Sequence, residues 1–124
     1  MIFYVYRFLA SLTLTISIET VVLFVMMRRV FKKHPRDVSA GTLVATGFLA
    51  SGATIPYVWF VFPYLLTGHL SLAIAIGELF ALLAETGIYH LVLKLDARRA
   101  FLVSLIANAS SFGIGYLLHF LANR

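Results

Sequence analysis

The chain contains no cysteine, which excludes disulfides, thiol catalysis and cysteine-ligated metals. Charge is also scarce: 12% of the 124 residues are Asp, Glu, Lys or Arg, against about a quarter in soluble domains. With 61% hydrophobic residues and a mean hydropathy of +0.96, the polar side chains are too few to cover a water-facing surface. That composition belongs in a lipid bilayer. Enzyme signatures are missing too, since there is no HExxH, no nucleophile elbow and no P-loop. No lysine sits within an apolar run where it could hold retinal. The four histidines, His34, His69, His90 and His119, fall in loops or near helix ends. No two histidines within the spans share a depth; His69 and His119 could approach each other at the outer end, and two ligands are a weak metal signal. The sequence therefore predicts no enzyme activity, no cofactor and no metal.

What the chain does have is four long apolar stretches, about 3–27, 41–66, 71–95 and 100–121. Each exceeds the ~20 residues that carry a helix across a ~30 Å hydrocarbon core. Apolar residues run consecutively and do not alternate, which argues against a β-barrel. The first stretch lacks a basic leader and a small-residue cleavage site, so it reads as a retained helix. The expectation is an all-α, four-helix transmembrane bundle occupying residues 1–124 as one integral membrane domain. The net charge of +5 is concentrated in two short segments, "RRVFKKHPRD" (28–37) and "KLDARR" (94–99). Such clustering is what membrane topology produces, so nucleic acid is set aside. Short basic loops stay in the cytoplasm, which predicts both termini outside and loops 28–37 and 94–99 inside.

Two Glu-Thr pairs interrupt the apolar runs, in "SIETVVLFVMMR" (17–28) and "LLAETGIYHLVLK" (82–94). Glu19 to Arg28 spans nine positions, and so does Glu85 to Lys94. After each pair come a basic loop and then "LASGATIPYVWF" or "LIANASSFGIGY", which sets Ser51 against Asn108, Thr54 against Ser111 and Pro56 against Gly113. This pattern predicts a duplicated two-helix hairpin whose copies share one orientation, as in parallel transporter repeats.

Depth arithmetic sharpens the pattern. At ~1.5 Å per residue, nine residues place each Glu roughly 13 Å from the basic end. Asn108 is nine residues past Arg99, and Ser51 is ten past Gly41. Glu19, Ser51, Glu85 and Asn108 therefore fall in one mid-membrane layer, one per helix, with Thr54 and Ser111 a turn further on. A carboxylate facing lipid costs at least ~2.5–3.5 kcal/mol, so both Glu residues should point inward. No basic residue lies in the layer, and sharing a proton or a cation would relieve their repulsion. Two readings follow. The layer is either a proton- or cation-binding site, or a clamp in which polar groups hold helices together for ~0.6–2 kcal/mol each. Glu78, seven residues before Glu85, extends the polar face outward, as do Ser11 and Thr15 on the first helix, and could line an access route. Pro56 removes one backbone hydrogen bond within the second helix.

At "TIPYVWFVFP", "GELFALLAETGIYHLVL" and "RAFLVSLIANASSFGIGYL" the chain resembles a loose family of small four-helix bacterial inner-membrane proteins. The shared features are Thr-x-Pro before aromatics, two spaced Glu residues in the third helix and Ala-Asn-x-x-Ser in the fourth. The resemblance covers the second to fourth helices and the first through Glu19. It implies a multi-pass protein of the bacterial inner membrane and carries no activity with it. Many members have Asn where this chain has Ser51, which removes a paired amide. The functional expectation is a small proton- or cation-linked transporter or channel, or alternatively an accessory subunit of a larger membrane complex. The expected partners are the lipid bilayer and either further copies of the chain or other membrane subunits.

Overall fold

A computed structural model of the chain describes residues 2–124. Four helices account for nearly all of it: α1 (Ile2–Val30), α2 (Ala40–Leu65), α3 (Leu70–Val92) and α4 (Ala97–Ala122). At 29, 26, 23 and 26 residues each is long and apolar enough to cross a ~30 Å hydrocarbon core. No strand occurs among the described residues. Packing runs α1 on α2, α2 on α3, α3 on α4 and α4 back on α1, an up-down-up-down membrane bundle with short connections.

Local chemistry explains where the helices stop. Ser39 caps α2, accepting a hydrogen bond from the Thr42 N–H at 3.1 Å, as Ser does at helix N-termini. The last turn of α1, Met26–Val30, is widened, with the Phe31 N–H reaching Met26 O at 2.8 Å. Lys32 then turns left-handed (φ 54°), and Lys94 does the same after α3 (φ 55°), a conformation that ends helices. As a result α3 ends at Val92 where hydropathy reaches to Leu95, and α4 begins at Ala97 where hydropathy starts at Ala100. Leu93 and Leu95 are connection residues that still point into the core, each 3% exposed. Apolarity extends the helix on paper because these loop side chains are as buried as helical ones.

Pro56 leaves the carbonyl one turn earlier without its usual donor. Immediately beyond it, α2 widens over Tyr57–Val61, where the Phe62 N–H reaches Tyr57 O. The helix continues through this wide turn to Leu65.

The two ends of the bundle differ. At the end carrying the basic loops, Leu23, Met27, Leu43, Tyr89, Ala100 and Val103 form a fully buried core. Arg28 staples the first loop by donating to Val38 O at 2.6 Å, and the Arg99 guanidinium lies 5.2 Å over the Phe31 ring. At the end carrying the termini, rings join α1 to α2 (Phe8–Phe60, 4.8 Å) and α2 to α3 (Tyr57–Phe80, 5.2 Å). The Tyr4 hydroxyl also donates to Trp59 O there. No buried residue occurs on α4 beyond Ala107, so its terminal half is exposed on the side of the bundle.

α1 and α2 approach closely at Gly47. A Cβ added there would lie 2.3 Å from Thr20 Oγ1 but 3.4 Å from Thr20 Cβ. Gly47→Ala is expected to destabilise the bundle by ~1–3 kcal/mol through overpacking, read as a lower unfolding midpoint in mild detergent. Adding Thr20→Ala removes the clashing oxygen and should recover most of that loss. Additive effects in the double variant would show that the two side chains do not meet.

Candidate functional site

Glu85 is buried because of its register. Ala73, Gly77, Ala81, Glu85 and Tyr89 recur every four positions and form the buried stripe of α3. On α1 the buried stripe is Thr15, Glu19 and Leu23. Both carboxyl side chains are 0% exposed and lie inside the bundle.

Each carboxyl is held by the following helix. Ser51 donates to Glu19 Oε2 at 2.5 Å, and Asn108 Nδ2 donates to Glu85 Oε2 at 2.7 Å. The other oxygen of Glu85 lies 3.0 Å from the Thr54 hydroxyl, which also reaches Ala50 O at 2.8 Å. Thr54 therefore ties α2 to α3, while Ser51 ties α2 to α1 and Asn108 ties α4 to α3. Both hairpins use the same pairing, a Glu on the first helix with a polar residue on the second.

The symmetry stops at Ser111. By analogy with Thr54 it would meet the free oxygen of Glu19, but its hydroxyl turns back to Asn108 O at 3.2 Å. Glu19 Oε1 is left buried without a partner. Glu78 is half-buried and stands outside the layer, on a groove between α3 and α4 that Asn108 also lines. Thr15 is buried and Ser11 half-buried along α1.

Two residues join the site that sequence reasoning missed. Ser104 accepts from Asn108 Nδ2 at 3.2 Å and donates to Leu82 O at 2.8 Å, so it orients the amide. Tyr89 is fully buried one turn beyond Glu85, and its hydroxyl has no partner. Both lie four positions from a residue already singled out, and that i,i+4 spacing was the available signal.

Among the described residues there is no grouping of three His, Asp or Glu side chains placed to hold a metal. The single ion pair among them, Arg99 with Asp96 at 3.7 Å, lies at the basic end. The layer thus offers acidic and neutral oxygens, one amide and no positive charge. Comparisons with protein-family models, curated proteins and solved structures each give no match, so the chemistry is read from this geometry alone.

The unequal roles of Asn108 and Ser111 can be tested by stability. Asn108→Leu strands a buried Glu85 oxygen and is expected to cost ~1–3 kcal/mol, seen as a depressed thermal midpoint in detergent. Ser111→Ala removes only a bond to its own helix and should stay within ~0.5 kcal/mol. Equal losses would place Ser111 in the layer after all.

Proposed function

We propose that this protein is a small proton-linked transporter in which Glu19 and Glu85 together bind the transported proton. The observation that carries this reading is a pair of fully buried carboxyls with no cation beside them. An isolated ionised carboxylate in a low-dielectric interior is prohibitively unstable. The pair must take positive charge from outside, and the smallest source is a proton.

The hydrogen bonds support one proton shared unequally. Thr54 has a single hydroxyl proton and two acceptors in reach, Ala50 O at 2.8 Å and Glu85 Oε1 at 3.0 Å. Both contacts are full hydrogen bonds only when Glu85 brings a proton of its own. The 2.5 Å Ser51–Glu19 contact matches the ~2.5–2.7 Å expected when a hydroxyl donates to an ionised oxygen. Glu85 then carries the proton and Glu19 the charge. The unpartnered Glu19 Oε1 is the place a second proton or a small cation would occupy. Buried one turn nearer the basic end, the Tyr89 hydroxyl is the next group able to pass a proton on. The excess of Lys and Arg in residues 28–37 and 94–99 supports an orientation with those loops in the cytoplasm.

The test is proton flux into liposomes containing the purified protein and a pH-sensitive dye. Glu85→Gln and Glu19→Gln keep the shape and hydrogen-bonding capacity of the layer but not its titration. Both are expected to fold normally and to reduce flux to the level of protein-free liposomes. Variants that fold and conduct like the parent would leave the layer as a clamp between helices, which an amide satisfies equally well.

Within the most apolar stretch of each helix only 17% to 28% of residues are buried. That thin core supports association of several copies in the membrane. Extraction from native membrane under mild conditions should yield a particle whose protein mass is a multiple of 13.8 kDa. Other chains present in fixed ratio would favour the accessory-subunit reading instead.

A further inference from the structure

Outside the central layer, a groove of about 340 Å³ opens on the side of the bundle between α3 and α4. That volume lies at the small end of ligand sites, which run ~300–1,000 Å³. Leu82, Leu105 and Phe112 form its walls, and Glu78 and Asn108 are its polar members. Leu105 and Phe112 are 45% and 50% exposed, so in a bilayer the groove faces the hydrocarbon.

Its polar groups are unmatched in one direction only. Glu78 makes no hydrogen bond or ion pair with any described residue, and the single ion pair lies far away at the basic end. A charged group within the membrane without a counterion is unstable by several kcal/mol. Asn108 has both hydrogens engaged, on Glu85 Oε2 at 2.7 Å and on Ser104 at 2.8 Å, while its Oδ1 accepts nothing from a described residue. The groove therefore presents acceptor oxygens, one of them on a carboxyl group, and no basic side chain. An anion would be repelled, and a neutral apolar molecule would leave Glu78 uncompensated.

We propose that this groove binds an amphiphilic monocation bearing N–H donors, with its ammonium on Glu78 and Asn108 Oδ1 and its apolar body against Leu82, Leu105 and Phe112. Such a molecule partitions into the bilayer and enters from the side. Asn108 touches the ligand through Oδ1 and Glu85 through Nδ2, so one amide links the ligand to the proton site. This linkage rests on the proton-site reading above, whereas binding in the groove does not.

Binding of (1-naphthyl)methylammonium to the protein in phosphatidylcholine nanodiscs, followed by naphthyl fluorescence, tests the proposal. The uncharged (1-naphthyl)methanol serves as the neutral control. The cation is expected to bind one per chain and the alcohol much more weakly. Glu78→Gln should weaken the cation by roughly tenfold or more, the scale of one charge-assisted contact. Ala109→Phe, which fills the groove without touching the charge, should weaken it comparably. Equal binding of cation and alcohol, or cation binding indifferent to Glu78→Gln and Ala109→Phe, would overturn the proposal. So would loss of binding on replacing phosphatidylcholine by phosphatidylethanolamine, which would assign the groove to a lipid ammonium. If the cation binds as expected but Glu19→Gln and Glu85→Gln retain proton flux, the groove stands and the proton-site reading fails.

Discussion

Two carboxyl groups buried in one layer without a cation impose the strongest constraint on this bundle. In a medium of low dielectric neither can remain unsatisfied, so each helix must deliver a polar partner to the same depth. Ser51 comes from α2 to Glu19, Asn108 comes from α4 to Glu85, and Thr54 reaches from α2 to Glu85. Those three bonds fix the axial register of all four helices. Apolar packing alone would not do so, because lipid tails solvate Leu as well as another helix does. The close-packed core of Leu23, Leu43, Tyr89 and Val103 lies on one side of this layer. On the other side the helices are held by ring contacts and by a small-residue stripe that includes Ala73, Gly77 and Ala81.

That division gives the layer unequal surroundings. Toward the basic end most of the buried side chains are large and apolar, and the Thr20 and Tyr89 hydroxyls there have no partner. Toward the terminal end α4 contributes no buried residue past Ala107, and the gap beside Asn108 is the groove that contains Glu78. The two carboxyls themselves are fully enclosed, and the lining of the groove reaches Asn108 but neither Glu19 nor Glu85.

Much of this was legible in the sequence, for reasons specific to each element. Helix number followed from the length of the apolar runs, because a bilayer sets a minimum span. The polar layer followed from counting residues from the basic ends, because helical rise is constant. Helix ends were less legible: Leu93 and Leu95 are apolar and buried, yet the left-handed turn at Lys94 takes them out of the helix. Hydropathy measures where a side chain goes and not which backbone carries it. Glu78 lies seven residues from Glu85, near the same face, but the buried stripe at that depth runs through Gly77 and Ala73, so its carboxyl meets the groove and not the core. Which hydroxyl turns to which oxygen depends on a rotamer choice that no spacing encodes.

The comparison of Thr54 with Ser111 shows how one such choice affects the chemistry. Thr54 can reach Glu85 Oε1 while its hydroxyl also lies on Ala50 O of its own helix. A β-branched side chain in a helix has few rotamers, and back-bonding to the preceding turn holds Thr in one of them. Ser111 lacks the methyl group that would restrict it, and its hydroxyl settles on Asn108 O, leaving Glu19 Oε1 alone. Two hairpins of matching pattern thereby produce two carboxyls that differ in partners, one with both oxygens bonded and one with a single oxygen bonded. A symmetric pair would give a proton no preferred resting place. In the proton-site reading proposed above, the unequal partners favour Glu85 as that place and leave Glu19 Oε1 as the oxygen without a partner.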